Sequence, residues 1–283
     1  MPDTPTEHQQ ALLREIDHEL MQLDHLPELS DQRYHETHDT FEAASNQRAM
    51  ILEWLDGWAA TSLEVERAEV LSVGCGGGTM DLQIVETLMG HCGSLALAGV
   101  DPNPLHTRAF ADCFADRVAE VTVATSPFEE YETDHRFDVI HFIHCLYYFE
   151  DLEQSLKRAL TMLKPSGKML VLNAPNGLLN HLAHRIWKRQ WNRTAWYTED
   201  ILPIVRRTER PVQVDRLDAW VDVTSSLDES SEHGRLILDF IVQAETSRLP
   251  ARLQELLRDY LDAIARSEDG RRLAPHPVDA IAV

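Results

Sequence analysis

Five consecutive residues, Gly74-Cys75-Gly76-Gly77-Gly78, form the densest chemical signal in the chain. A loop this rich in glycine turns tightly and lets a ligand approach the main chain with no Cβ in the way. Its spacing is G-x-G-x-G. Thr79 stands where the dinucleotide fingerprint needs a third glycine, and no G-K-[ST] follows to make a phosphate loop. Asp101 closes the next apolar run, residues 95–100. A carboxylate there can accept hydrogen bonds from both hydroxyls of a ribose, or simply cap the helix that starts near Pro102. Further along, His144 lies at the mouth of the apolar run 137–145 and precedes Tyr147 and Tyr148, whose rings can face a cationic centre. The histidine pairs His141/His144 and His181/His184 lack a nearby Cys or carboxylate to complete a ligand set, so no metal site is expected.

Alternating strands and helices must position these groups. The residues at 70–73 are a short β-branched run leading into the glycines, and a helix is expected over 80–89. Strands are expected at 95–100, 121–124, 137–145 and 168–172. Between them, helical spacing is carried by Leu105, Ala109 and Cys113, and by Leu152, Leu156, Leu160 and Leu163. Strands separated by helices of this length make βαβ units, and therefore an α/β protein with a mostly parallel sheet covered on both faces. Ahead of this core, Leu12, Leu13, Ile16, Leu20 and Leu23 predict one helix. Phe41, Ala44, Arg48, Ile51, Leu52, Leu55 and Trp58 predict a second, ending near Gly57. The polar, His-rich residues 30–39 read as a linker between them, or else as a loop that orders over a ligand. After Pro175 three tryptophans (Trp187, Trp191, Trp196) lie among basic and histidine residues. Late strands are expected within 212–223 and 280–283, and an amphipathic helix over 249–264.

The chain has 283 residues, 47 acidic against 26 Lys and Arg, and a net charge of −21. A sequence-independent grip on nucleic acid needs a basic face that displaces counterions, so nucleic acid is not an expected partner. The same acidity disfavours an anionic membrane surface, and no run approaches the ~18–20 apolar residues of a membrane span. The N-terminus Met1-Pro2-Asp3-Thr4 has no apolar signal. Cys75, Cys92, Cys113 and Cys145 lie far apart without a C-x-x-C pair and read as reduced thiols. A soluble, cytoplasmic protein is expected, with a monomer favoured.

Residues 70–78 and Asp101 resemble the first two motifs of class I S-adenosylmethionine (SAM)-dependent methyltransferases. Phe137-Asp138-Val139-Ile140-His141 and Leu163-Lys164-Pro165-Ser166-Gly167-Lys168 resemble the next two. Asp81-Leu82-Gln83-Ile84, Leu146-Tyr147-Tyr148 and Leu238-Asp239-Phe240 narrow the resemblance to the histamine N-methyltransferase family over roughly residues 30–283. The resemblance implies a Rossmann-like, mostly parallel seven-stranded sheet flanked by helices. Residues 1–62 would be an N-terminal helical cap, 63–175 the SAM-binding core, and 176–283 a substrate-covering segment with the last strands. SAM is the implied cofactor and a small molecule the implied methyl acceptor.

For the cofactor, the resemblance implies Gly74, Cys75 and Gly76 at the amino-acid part, and Asp101, Pro102 and His106 at the ribose side. It implies Ser126 and Phe128 at the adenine, and Ile143 beside the cofactor. For the acceptor it implies the aromatics Tyr34, Tyr148, Trp187 and Phe240. The family's glutamine corresponds to His144, its C-terminal asparagine to His276, and its glutamate to Asn46 or Gln47, with Glu42 one turn away. His144 and Tyr148 are the expected catalytic residues. N-methylation of an imidazole or amine is the leading reading. O-methylation with His144 as base, and SAM binding without turnover, are the alternatives. A nucleic-acid acceptor is disfavoured further, because His144-Cys145-Leu146-Tyr147 stands where an Asn-Pro-Pro-aromatic tetrad would be needed.

Overall fold

The computed structural model describes residues 4–191 and 195–283; the side chains of Gln190 and Trp191 lie outside the description. The chain begins with α1 (Glu7–Met21), α2 (Asp31–Ala44) and α3 (Gln47–Ser62). Then come β1 (Arg67–Val73), α4 (Thr79–Met89), β2 (Ser94–Asp101), α5 (Pro104–Phe114) and β3 (Glu120–Thr125). They are followed by β4 (Phe137–Ile143), α6 (Leu152–Met162), β5 (Leu163–Asn173), α7 (Leu178–Trp191) and α8 (Thr198–Val205). The chain ends with β6 (Gln213–Leu217), β7 (Trp220–Asp222), α9 (Glu232–Val242), α10 (Ala251–Ile264), β8 (Arg266–Glu268), β9 (Arg271–Pro275) and β10 (Val278–Ala282).

Contacts divide the chain into two units. The first comprises Met1–Arg48, Ala174–Ala195 and Leu217–Val278; the second comprises Ala49–Asn173, Trp196–Arg216 and Asp279–Val283. Both are woven from separate stretches, unlike the linear boundaries expected at 62 and 175.

The second unit carries a seven-stranded sheet in the order β3-β2-β1-β4-β5-β10-β6. β1 pairs in parallel with β2 and β4, β2 with β3, and β4 with β5, whereas β10 runs antiparallel to β5. This is the Rossmann-like arrangement expected from the sequence. β2 and β4 are buried along almost their whole length, which is why they read as unbroken apolar runs. From β1 the chain proceeds outward to β2 and β3, then returns to place β4 on the other side of β1. The carboxyl ends of β1 and β4 therefore flank a topological switch point, where open α/β sheets bind ligands.

Residues 104–114 are helical as expected, but the buried face is Thr107, Phe110 and Phe114, and Leu105 is 71% exposed. Glycines decide the face. A Cβ at Gly99 would sit 2.7 Å from the Phe110 ring, and one at Gly78 would sit 3.1 Å from both Phe110 and Phe114. The two rings fill space that these glycines leave. The run 212–223 also resolves into two strands in different sheets, β6 and β7.

The first unit has its own apolar core, built from α1, α7, α9 and α10, with a three-stranded sheet in the order β7-β9-β8. Residues 30–39, expected as a linker, belong to α2. Ser30 caps it by accepting a hydrogen bond from the Arg33 amide at 3.2 Å, and Thr37 and Phe41 are its buried residues. The single helix expected from Phe41 to Trp58 is two helices. They are broken at Ser45, which is extended and bridges Val221, and at Asn46, whose Oδ1 accepts from the Trp220 amide at 2.8 Å. Gly57 lies inside α3 rather than ending it.

Candidate active site

In the second unit, β1 runs directly into the glycine loop. Gly74, Gly76 and Gly78 have φ of +67°, +52° and +83°, the left-handed region that glycine enters without steric cost. Two of them are glycine for different reasons. A Cβ at Gly74 would collide with the Cys145 Cβ at 2.5 Å, whereas one at Gly76 would meet nothing within 4 Å. Gly74 is therefore required by packing, and Gly76 presents an open main-chain face that a ligand can approach closely.

Asp101 ends β2 and braces this loop. Its Oδ2 accepts from the Gly76 amide at 3.1 Å, and its Oδ1 accepts from the Asn103 amide at 2.9 Å. His106 Nδ1 lies 3.3 Å from Oδ1. The helix-capping duty falls instead to Asn103, whose side chain accepts from the Leu105 amide. A carboxylate offers about four lone-pair sites, so two backbone amides leave Asp101 room for ligand hydroxyls. Pro102 is exposed, and Cys75 is buried with its thiol pKa pushed up by desolvation. Ser126 follows β3 and is half-buried. Phe128 is buried, its ring 5.6 Å from that of Phe142, so its side chain is part of the core.

Ile143 is the last residue of β4, and His144 follows it with φ +49°. A left-handed histidine is uncommon and such conformations cluster at functional sites. The His144 amide donates to the Leu172 carbonyl at 3.0 Å, and its Nδ1 lies 3.0 Å from the Tyr147 hydroxyl with the two rings stacked. Burial lowers the imidazole pKa to about 4, so the ring is neutral at physiological pH. Tyr148, at the end of a short 3-10 turn, is 62% exposed. The Tyr147 ring also faces Tyr197, 6.4 Å away, a residue that no spacing in the sequence singles out. β4 ends between His141 and His144, which separates that pair. His141 faces Asp81 instead, and among the described residues no group of three His, Cys, Asp or Glu side chains is placed to hold a metal ion.

In the first unit, a chain of rings joins α2 to α9. Phe240 lies 6.2 Å from Tyr34, 5.5 Å from His38 and 4.5 Å from Phe41, and Phe41 lies 5.0 Å from His276. The His276 carbonyl accepts from Gln47 Nε2 at 2.8 Å, and its Nδ1 lies 3.3 Å from Ser45 Oγ. Tyr34, Phe240, His276 and Gln47 are thus brought together. Asn46 is turned to the β7 backbone, Glu42 is ion-paired with Arg48, and Trp187 is half-buried on α7. His38 joins this cluster without having been expected there. Its only sequence signal is its position one turn after Tyr34 on the polar stretch. The side chain of Trp191 lies outside the description.

Residues 37–208 match the family described as Methyltransferase domain. Histamine N-methyltransferase A of Xenopus laevis is 27% identical over 62% of this chain and 66% of its own length. Carnosine N-methyltransferase 2 of Gallus gallus is 26% identical over 66% of each. The chain thus spans about two thirds of the length of these curated relatives. In fold, it is similar to the YcgJ protein of Bacillus subtilis, with a TM-score of 0.57 at 15% identity over 81% of this chain and 97% of that one. No helix among the described residues is long and apolar enough to cross a membrane. The switch-point sheet, the open glycine loop with its braced aspartate, and the family match over most of the chain agree: the chain belongs to the methyltransferase-domain family, with SAM as its cofactor.

Proposed function

We propose that this chain methylates a ring nitrogen of a small, imidazole-type molecule. The geometry of His144 carries the choice of acceptor: directly after β4, half-buried, its ring stacks on Tyr147 with Nδ1 3.0 Å from the hydroxyl, and desolvation lowers its pKa to about 4. When bound, SAM supplies an electrophilic sulfonium methyl for in-line displacement. The chain's own residues bind, orient and exclude water.

On the cofactor side, we assign the open face of Gly76 to the amino-acid portion, the remaining lone pairs of Asp101 to the ribose hydroxyls, and Ser126 to the adenine region. His106, 3.3 Å from Asp101, lies on the ribose side of that assignment. Phe128 contributes as part of the core, packed against the rings of Phe142 and Phe149.

His144 is poorly suited to act as a base. Moving a proton from an ammonium of pKa ~10 to an imidazole of pKa about 4 is uphill by about 8 kcal/mol. An acceptor imidazole of pKa ~6.5 is already mostly unprotonated at pH 7. Its lone pair attacks directly, and the cationic product can release its other ring proton to solvent. His144 then needs only to donate or accept one hydrogen bond, its ring oriented by Tyr147. Tyr148 offers an exposed ring to the same chemistry. Within the first unit, Tyr34, Phe240 and His276 form a ring cluster of their own, with Gln47 bonded to the His276 backbone. The Glu42 carboxylate is engaged by Arg48, which argues against an obligatory ammonium on the acceptor. Relatives named for histamine and carnosine, both of which contain imidazole, point the same way.

The test is S-adenosylhomocysteine release over a panel at pH 6–9: histamine, 4-methylimidazole, histidine, primary amines, phenols and carboxylates. Turnover of imidazoles, with 4-methylimidazole as good as histamine, is expected. Turnover confined to aliphatic amines or phenols would overturn the reading.

A further inference from the structure

His141 and Asp81 are buried polar residues for which the proposed chemistry has no direct use. His141 lies on β4 and Asp81 in the first turn of α4; their side chains are 4% and 7% exposed, and Nε2 stands 3.3 Å from Oδ1. Neither ring nitrogen of His141, nor Asp81 Oδ1, finds a hydrogen bond of good geometry among the described residues. The surroundings are apolar: a small cavity beside His141 is walled by Ile51, Leu55, Ile84, Leu88 and Ile143, among others. Polar groups left incompletely bonded in an apolar interior are costly, and in native proteins they call for a reason.

Their placement supplies one. Gly78 caps α4 in a left-handed conformation with no side-chain cap. Asp81 occupies the third helical position, from which an acidic side chain commonly reaches back to the cap. Here its Oδ1 is turned to β4 instead. His141 is paired in register with Ser72 of β1 and lies on the same face of β4 as Ile143, two residues on. The pair therefore connects the helix fed by the glycine loop to the strand that delivers Ile143 and His144.

We propose that His141 and Asp81 are positioning residues for the cofactor site. They hold the glycine loop and the end of β4 at the spacing that SAM requires. This rests on the reading of the switch point as the SAM site. Replacing a buried polar pair such as His141 and Asp81 with apolar residues can be neutral or stabilising for the fold, so positioning can be separated from stability.

The experiment measures S-adenosylhomocysteine binding by calorimetry and unfolding by urea for the wild type, the double variant His141→Leu/Asp81→Leu, and the conservative variants His141→Gln and Asp81→Asn. The double variant should unfold at no lower urea concentration than wild type, yet bind about tenfold more weakly, because a less preorganised site gives up binding energy to ordering. His141→Gln, which keeps an amide near the Nε2 position, should recover part of the loss. Amide exchange at Cys75 and Gly76 should quicken in the double variant. If the double variant folds poorly, Asp81→Asn alone should still bind severalfold more weakly. Binding and loop exchange equal to wild type in the folded variants would overturn the positioning role. If the wild type itself fails to bind S-adenosylhomocysteine, the reading of the site falls, and this inference with it.

Discussion

Asp101→Asn keeps the shape of the side chain and removes half of its accepting capacity. Each Asp101 oxygen now takes a backbone amide, Gly76 on one side and Asn103 on the other, at 3.1 and 2.9 Å. An asparagine has one acceptor oxygen and one NH2, so whichever way it is turned, one of those amides meets a donor. Losing a hydrogen bond to an ionised acceptor costs about 1.5–3 kcal/mol. The loss falls on the anchoring of either Gly76 or the start of α5. A bound ribose loses a comparable amount, because the group that would accept from its hydroxyls is no longer charged. The two effects together are about 3–6 kcal/mol, or about a hundredfold to ten-thousandfold in affinity. Calorimetry with S-adenosylhomocysteine reads the affinity, and a thermal melt without ligand reads the anchoring, where a fall of several degrees is expected. A dissociation constant within threefold of wild type would refute both the ribose assignment and the claim that the aspartate holds the loop in its binding shape.

Gly76→Ala and Gly74→Ala should separate ligand approach from packing. The first forces a left-handed alanine costing about 1–2 kcal/mol and, by filling the open face, should abolish cofactor binding in a folded protein. The second drives a Cβ to 2.5 Å from that of Cys145 and should lower the melting temperature much further. His144 should leave a signature in the pH dependence of stability. Its folded pKa, about 4, lies below the unfolded value of 6.5, so the unfolded chain binds more protons between them. The contribution is fully present above pH ~6.5 and is lost as pH falls toward 4, amounting to about 3 kcal/mol. Melting curves of wild type and His144→Gln from pH 4 to 7.5 should converge on acidification, and parallel curves would show that the ring is not buried neutral. In the first unit, Asp239 accepts from Arg33 Nη2 at 2.8 Å and from the Thr246 amide at 2.9 Å while almost wholly buried. Arg33→Ala leaves that carboxylate without its cation and should cost about 3–5 kcal/mol in urea unfolding, with a value under 1 kcal/mol counting against the pin.

How much of this was legible in the sequence depends on where the determining contact lies. The glycine loop, Asp101 and the strands around them could be read because their requirements are local. A left-handed turn demands glycine, a carboxylate at the end of the following strand can brace that turn through the Gly76 amide, and strands covered on both faces are apolar throughout. α2 could not be read, because its buried residues are only Thr37 and Phe41 and its anchor is Arg33 bonded to Asp239, 206 positions away. A polar stretch held by the distant ion pairs of Arg33 with Asp239 and Glu232 has the composition of a linker. The face of α5 differs from the expected one for a related reason. Leu105 looks like a core residue by its chemistry, but the space available was set by Gly78 and Gly99, which admit only the rings of Phe110 and Phe114. The candidate site divides along the same line. His144 could be singled out by its place after β4, yet whether it is a base or a neutral hydrogen-bonding group follows from the desolvation its neighbours impose. On the function proposed above, an imidazole held near 4 suits a ring nitrogen that arrives unprotonated, whereas a base near its ordinary pKa would suit a protonated amine or a phenol.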